Sequence, residues 1–259
     1  MNQEALRSIF MRTARHAASR SGLIFLAVFP WLAMLIFYSL FVKGRVTGFA
    51  AYNPYQFVLM GYYLGFFIPL SSLYLGVSLI SSEMDSGTLP YLFTRPVPRS
   101  LLFLAKFAGA FSALSVLVIL SQAGTYALSL RMTYFSGQSI LDFLAAAGVS
   151  VLGILVYGAL FSLLGLALKN PYLAGFLIGF GWENMAGWLP GFFKRLTILY
   201  HLHELLPYPP MRGGPQDLFY QAEYQWAAFA FLLGYGAIFL LLSCLTISSM
   251  EVVPRDTEA

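Results

Sequence analysis

LIFLAVFPWLAMLIFYSLFV, residues 23–42, is a run of twenty residues without a charge. Roughly 20 apolar helical residues cross a hydrocarbon layer about 30 Å thick, so the run reads as a transmembrane span, stopped by Lys43 and Arg45. Working outward, the pattern recurs five times. Phe57 to Ile80 is uncharged, and Leu101 to Leu130 carries only Lys106. Leu141 to Leu168 opens with Asp142 and closes at Lys169, and the turn signal Asn170-Pro171 separates it from Tyr172 to Leu189. The last run is Trp226 to Met250. These spacings predict an all-α integral membrane domain of six transmembrane helices, at about 23–42, 57–80, 101–130, 141–168, 172–189 and 226–250. Residues 1–22 precede it, and a tail, 251–259, follows.

Composition supports the same class. Of 259 residues, 59% are hydrophobic and 10% charged, against about a quarter charged in soluble domains. Such a chain cannot cover itself with polar surface, so lipid is its main solvent. A net charge of +4 is too small to suggest nucleic acid, and the single cysteine, Cys244, excludes a disulfide framework or thiolate metal cluster. The first twenty residues lack the short apolar core and cleavage site of a signal peptide.

Six spans place both termini on one side, and the Lys and Arg distribution indicates which. With the N-terminus inside, Arg7, Arg12, Arg15, Arg20, Arg95, Arg99, Lys106, Lys169 and Arg255 are cytoplasmic, nine against the six at Lys43, Arg45, Arg131, Lys194, Arg195 and Arg212. The expectation is a multi-pass protein of the cell (inner, cytoplasmic) membrane with both ends in the cytoplasm.

The segments between spans have their own patterns. On a helical wheel Leu6, Ile9, Phe10 and Ala17 share one face and Arg7, Arg12 and Arg15 the other. This predicts an amphipathic helix lying on the anionic inner surface, the alternative being a solvated basic tail. The longest outer connection, 190–225, carries an apolar stripe of Phe192, Leu196, Leu199, Leu202 and Leu206, with Lys194, Thr197, His201 and Glu204 roughly opposite. It is expected to form an interfacial or re-entrant helix, ended by Pro207-Tyr208-Pro209-Pro210.

The inner connection at 82–99 reads SEMDSGTLPYLFTRPVPR. It gathers two acids, two arginines, three prolines and a glycine between two apolar spans. Gly87-Thr88 can end one helix and cap the next short one, and the prolines then break the chain before the third span. The product is a short, stiff amphipathic element at the inner surface. Its order of features is similar to that of ABC-2-type permeases of ATP-binding cassette transporters: an acidic pair (Glu83, Asp85), Gly87-Thr88-Leu89, then Arg95-Pro96-Val97-Pro98-Arg99, then Lys106 in the next span. One departure is Met84, where the family often has an arginine between the acids.

The resemblance implies a coupling helix that docks into a cytoplasmic nucleotide-binding subunit. Leu89, Tyr91, Leu92 and Phe93 would be its apolar anchors, ringed by Glu83, Asp85, Arg95 and Arg99, with Gly87, Thr88 and Pro96 setting its shape. It further implies a non-catalytic permease subunit of an exporter, paired with a second copy or a similar chain. ATP and magnesium would belong to the partner, and no cofactor to this chain. No G-x-x-x-x-G-K-[ST] occurs here. Two other classes stay open: a membrane scaffold without transport, and an intramembrane enzyme, for which no catalytic residues stand out.

Glu183, next to Asn184 in the fifth span, invites two readings. An intramembrane carboxylate faces a cavity or a partner, which makes Glu183 and Asn184 candidates for a translocation path. Alternatively the span ends near Trp182 and Glu183 lies in the outer interface. His201 and His203 are two apart and point to opposite sides of a helix, so a metal site is not expected. Gly61/Gly65 and Gly175/Gly179 have the spacing of close helix packing.

Overall fold

The computed structural model describes residues 3–42, 54–85, 98–132, 140–186, 191–208 and 225–249. Among them every regular element is a helix. α1 spans Gln3–Ala18 and α2 Ser21–Val42. α3 runs unbroken through Pro54–Phe57, a π-helical stretch Val58–Phe67, and Ile68–Asp85. α4 is Arg99–Met132 and α5 Ile140–Ala167. α6 comprises Pro171–Phe176, a π-helical Leu177–Trp182 and Glu183–Ala186. A 3-10 turn at Gly191–Leu196 leads to α7, Ile198–Glu204, and α8 is Gln225–Ser249.

Four stretches are long and apolar enough to cross a membrane: Tyr55–Leu79, Arg99–Leu130, Ile140–Ala167 and Gln225–Ser249. The pair Leu6–Ala18 and Ser21–Ile36, bent by 53°, makes a fifth if counted as one span. The predicted span at 172–189 corresponds to a shorter apolar helix, Pro171–Trp182, continued to Ala186. Roughly 24 Å of helix is thus described there at about 1.5 Å per residue, some 6 Å less than the hydrocarbon layer of about 30 Å.

The core lies where α3, α4 and α5 meet, around Tyr63, Phe67, Phe103, Phe111, Tyr157 and Phe161, all essentially inaccessible. α3 and α5 approach almost backbone to backbone. A Cβ on Gly76 would stand 3.0 Å from Phe161 Cβ, and one on Gly165 would stand 3.0 Å from Val77 Cα. Without a hydrophobic force between helices in lipid, such small-residue contacts carry the association. Of the spaced pairs expected from sequence, Gly175 and Gly179 do face Leu73 and Phe161. Gly61 meets nothing within 4 Å and Gly65 only the Met60 carbonyl of its own helix.

α1 is seated on α4: a Cβ on Gly109 would come within 2.6 Å of the Phe10 carbonyl oxygen. Ala17 is buried while Arg7, Arg12 and Arg15 are exposed, the division its amphipathic pattern requires. α2 contains Pro30, which has no N–H to bond the carbonyl four residues earlier. That carbonyl, of Leu26, accepts the Tyr62 hydroxyl at 2.6 Å instead. α8 stands at the margin, exposing Phe229, Phe231, Leu241 and Leu245.

The 190–225 connection departs from its predicted stripe. Leu196 is 42% exposed, whereas His201 and Glu204, expected on the polar side, are buried. Thr197 is extended between the 3-10 turn and α7. The period therefore changes from about 3 to about 3.6 residues per turn across a break, and one stripe cannot run through both. α7 packs among α3, α5 and α8.

Candidate functional site

The 82–99 connection is described only at its flanks. Glu83 and Asp85 belong to the last turn of α3, their side chains lying outside the described residues, as do Gly87, Thr88, Leu89, Tyr91, Leu92, Phe93, Arg95 and Pro96 altogether. Arg99 opens α4, half-buried. The side of the molecule is nonetheless defined. Arg20, in the bend between α1 and α2, donates to the Tyr74 hydroxyl of α3, and Phe10 of α1 lies on Gly109 of α4. The ends that residues 86–97 join are thus on the α1 side. α4 has 34 residues, about 51 Å of helix, so it extends beyond a hydrocarbon layer of about 30 Å. Lys106, two turns into it, is buried.

Glu183 lies toward the other end, because α7 touches the Val58–Phe67 stretch of α3, far along that helix from Asp85. It is 5% exposed, and its two oxygens accept the Ile198 N–H at 3.1 Å and the Leu199 N–H at 2.9 Å. The Thr197 hydroxyl accepts the next N–H, of Tyr200, at 3.3 Å. Free N–H groups at a helix start carry partial positive charge and need acceptors. Glu183 supplies two from a separate element, so the buried carboxylate has partners within its own chain. The Tyr157 hydroxyl lies beside it without reaching hydrogen-bond geometry. The Asn184 side chain is outside the described residues.

The histidines of α7 point different ways. His201 Nε2 is 2.7 Å from the Arg195 carbonyl, and its ring stacks on Phe231 at 5.0 Å. His203 is half-buried, and its Nε2 has no hydrogen-bond partner among the described residues.

A third group was not anticipated. The Tyr63 hydroxyl lies 2.7 Å from Ser121 Oγ and 2.9 Å from Thr125 Oγ1. Ser121 Oγ also donates to the Ala27 carbonyl, and Trp31 Nε1 to the Ser121 carbonyl at 2.7 Å. One turn of α4 thereby ties α2, α3 and α4 together with buried polar bonds. Gln122 donates to Ser150 Oγ at 2.6 Å, extending the polar row to α5. The available signal was Ser121, Gln122, Thr125 and Ser129 in an otherwise apolar span, since polar groups inside a bundle face partners.

The family described as "ABC-2 family transporter protein" matches residues 15–181, more than half of the chain. The matched region includes α2 to α5, the 82–99 connection, and α6 as far as Gly181. No curated protein matches the sequence. A polytopic helical architecture and this match agree on a membrane component of an ABC transporter, and the chain belongs to the ABC-2 transporter family.

Proposed function

We propose that this chain is the permease subunit of an ABC exporter, moved by ATP hydrolysis on a separate cytoplasmic nucleotide-binding subunit through residues 82–99. The observation that carries the reading is the family match across the two long helices and their connection. Two features support it. The joined ends of α3 and α4 lie beside the basic amphipathic α1, where an inner surface is expected. α4 is long enough to carry a push from that surface through the bilayer without an intervening loop.

In this reading α6 and residues 187–189 complete a sixth span, both termini are cytoplasmic, and a second copy or a similar permease completes the membrane unit. Glu183 and Asn184 border the path at its outer end, Glu183 while holding α7. The chain itself performs no catalysis.

The test is a cysteine at residue 89, crosslinked in membranes to the co-expressed ATPase, together with Leu89→Asp and charge reversal at Glu83 with Asp85. Both variants insert normally, yet lose the ATPase subunit or hydrolyse ATP without transport, since loss of an interface anchor costs about 2 kcal/mol or more. Absence of the crosslink, with normal transport in both variants, refutes the coupling role.

A further inference from the structure

Glu183 is a buried carboxylate that α7 keeps paired, through the Ile198 and Leu199 N–H groups. Tyr157 of α5, 1% exposed, holds its hydroxyl beside that carboxylate, yet the hydroxyl has no hydrogen-bond partner among the described residues. Buried hydroxyls are as a rule bonded, and an O–H left unpaired next to a carboxylate forgoes a strong, charge-assisted bond. Packing accounts for the ring and not for the hydroxyl. The ring stacks on Phe161, with centroids 5.9 Å and planes 14° apart, a contact that phenylalanine makes equally well.

We infer that Glu183 is a two-position switch whose second partner is the Tyr157 hydroxyl. It holds α7 in the present arrangement and passes to Tyr157 when α7 moves off α5. The approach of α6 to α5 does not depend on α7. A Cβ on Gly179 would stand 3.0 Å from Phe161 Cζ. One turn beyond Gly179 comes Glu183, and one turn before Phe161 comes Tyr157, so two helix backbones hold the pair together.

α7 is the separable piece. It has seven residues, too few to persist as a helix without its neighbours, and it starts afresh after the extended Thr197. Its seat on α5 is the notch at Gly153, where an added Cβ would stand 3.0 Å from Leu202 Cδ1. Leaving that seat takes both N–H groups away from Glu183. A buried carboxylate stripped of donors is costly, so a donor already in place eases the shift, and the Tyr157 hydroxyl is that donor. Only the driving force for α7, a transport cycle, rests on the permease reading. The exchange of partners is a property of the chain itself.

The experiment follows hydrogen exchange of amides 198–204 in the full chain in dodecyl maltoside. Tyr157→Phe keeps the ring and withdraws a partner that only the shifted state uses. It is expected to slow these amides about tenfold, the worth of a hydrogen bond to a charged group, with exchange in α5 and α8 unchanged. In a Glu183→Met background, which offers the hydroxyl no acceptor, the same change alters exchange less than about twofold. A second readout is the buried Leu202: with Leu202→Cys in a Cys244→Ala chain, maleimide labelling reports α7 leaving Gly153, and Tyr157→Phe slows it by the same factor. Should the Glu183→Met chain not fold, this labelling decides. Unchanged or faster exchange in Tyr157→Phe overturns the inference, as does slowing of equal size in the Glu183→Met background. No ATPase is present in either measurement, so an absent crosslink at residue 89 refutes the coupling role without touching this one.

Discussion

Glu183 and Tyr62 show how single side chains compensate for irregular backbone inside a bundle. The Glu183 carboxylate accepts two α7 N–H groups. Glu183→Gln keeps the shape but places an amide NH2 against one of those donors, leaving it without an acceptor. A buried group so orphaned costs roughly 1–3 kcal/mol, read as a lower Tm and as faster hydrogen exchange in residues 198–204 before the rest. Substrate-stimulated ATPase activity of the reconstituted complex reads the path role separately. At Tyr62 the logic permits a cycle. Tyr62→Phe orphans the Leu26 carbonyl that Pro30 leaves open, with a cost of about 1–3 kcal/mol. Adding Pro30→Ala restores an N–H four residues on, so the double variant should recover most of that loss. Equal unfolding midpoints for the Tyr62→Phe variants with and without Pro30 would refute the pairing.

At the scale of elements, close approach decides what is adjacent. Gly109 lets the α1 backbone lie directly on α4, and Gly109→Ala inserts an atom 2.6 Å from the Phe10 carbonyl. Backbone has to move, at about 1–3 kcal/mol, and α1 is the only light element of the pair. Amides 6–18 are expected to exchange at least tenfold faster in this variant, while Gly148→Ala, with nothing within 4 Å, leaves them unchanged. The two π-helical stretches also meet, through Phe66 of α3 and Phe180 of α6 at 5.8 Å between ring centroids. Neither stretch has a proline or a charge within it, so nothing in their apolar runs distinguishes them from ordinary helix.

The whole molecule is tested by its topology. In the six-span reading, Glu4→Cys and Asp256→Cys are labelled by an impermeant maleimide only from the cytoplasmic side, and Arg212→Cys only from outside. Labelling of residues 4 and 256 from opposite faces would end that reading and, with it, the placement of residues 82–99 at the inner surface. The exposed apolar faces of α2 and α8 belong to this scale too, since in the proposed unit lipid or a second permease would cover them.

Sequence alone determined the class of the molecule, because twenty uncharged residues in a row have few stable solutions other than a helix in lipid. It also determined the family resemblance, carried by the order of acids, Gly-Thr-Leu and prolines between two spans, and the amphipathic split of α1 between Ala17 and its exposed arginines. The tertiary structure decided what periodicity cannot express. A helix in lipid is apolar all round, so no apolar stripe marks the inner face of α3, α4 or α5, and only the polar row Ser121, Gln122, Thr125 and Ser129 of α4 hints at one. Which of its glycines touch a neighbour, that Ser121 faces Tyr63 and that Glu183 caps α7 all depend on how the helices are set against one another. His201 and Glu204 were placed on the wrong side for a related reason: α7 packs among α3, α5 and α8, so residues on both of its sides are buried.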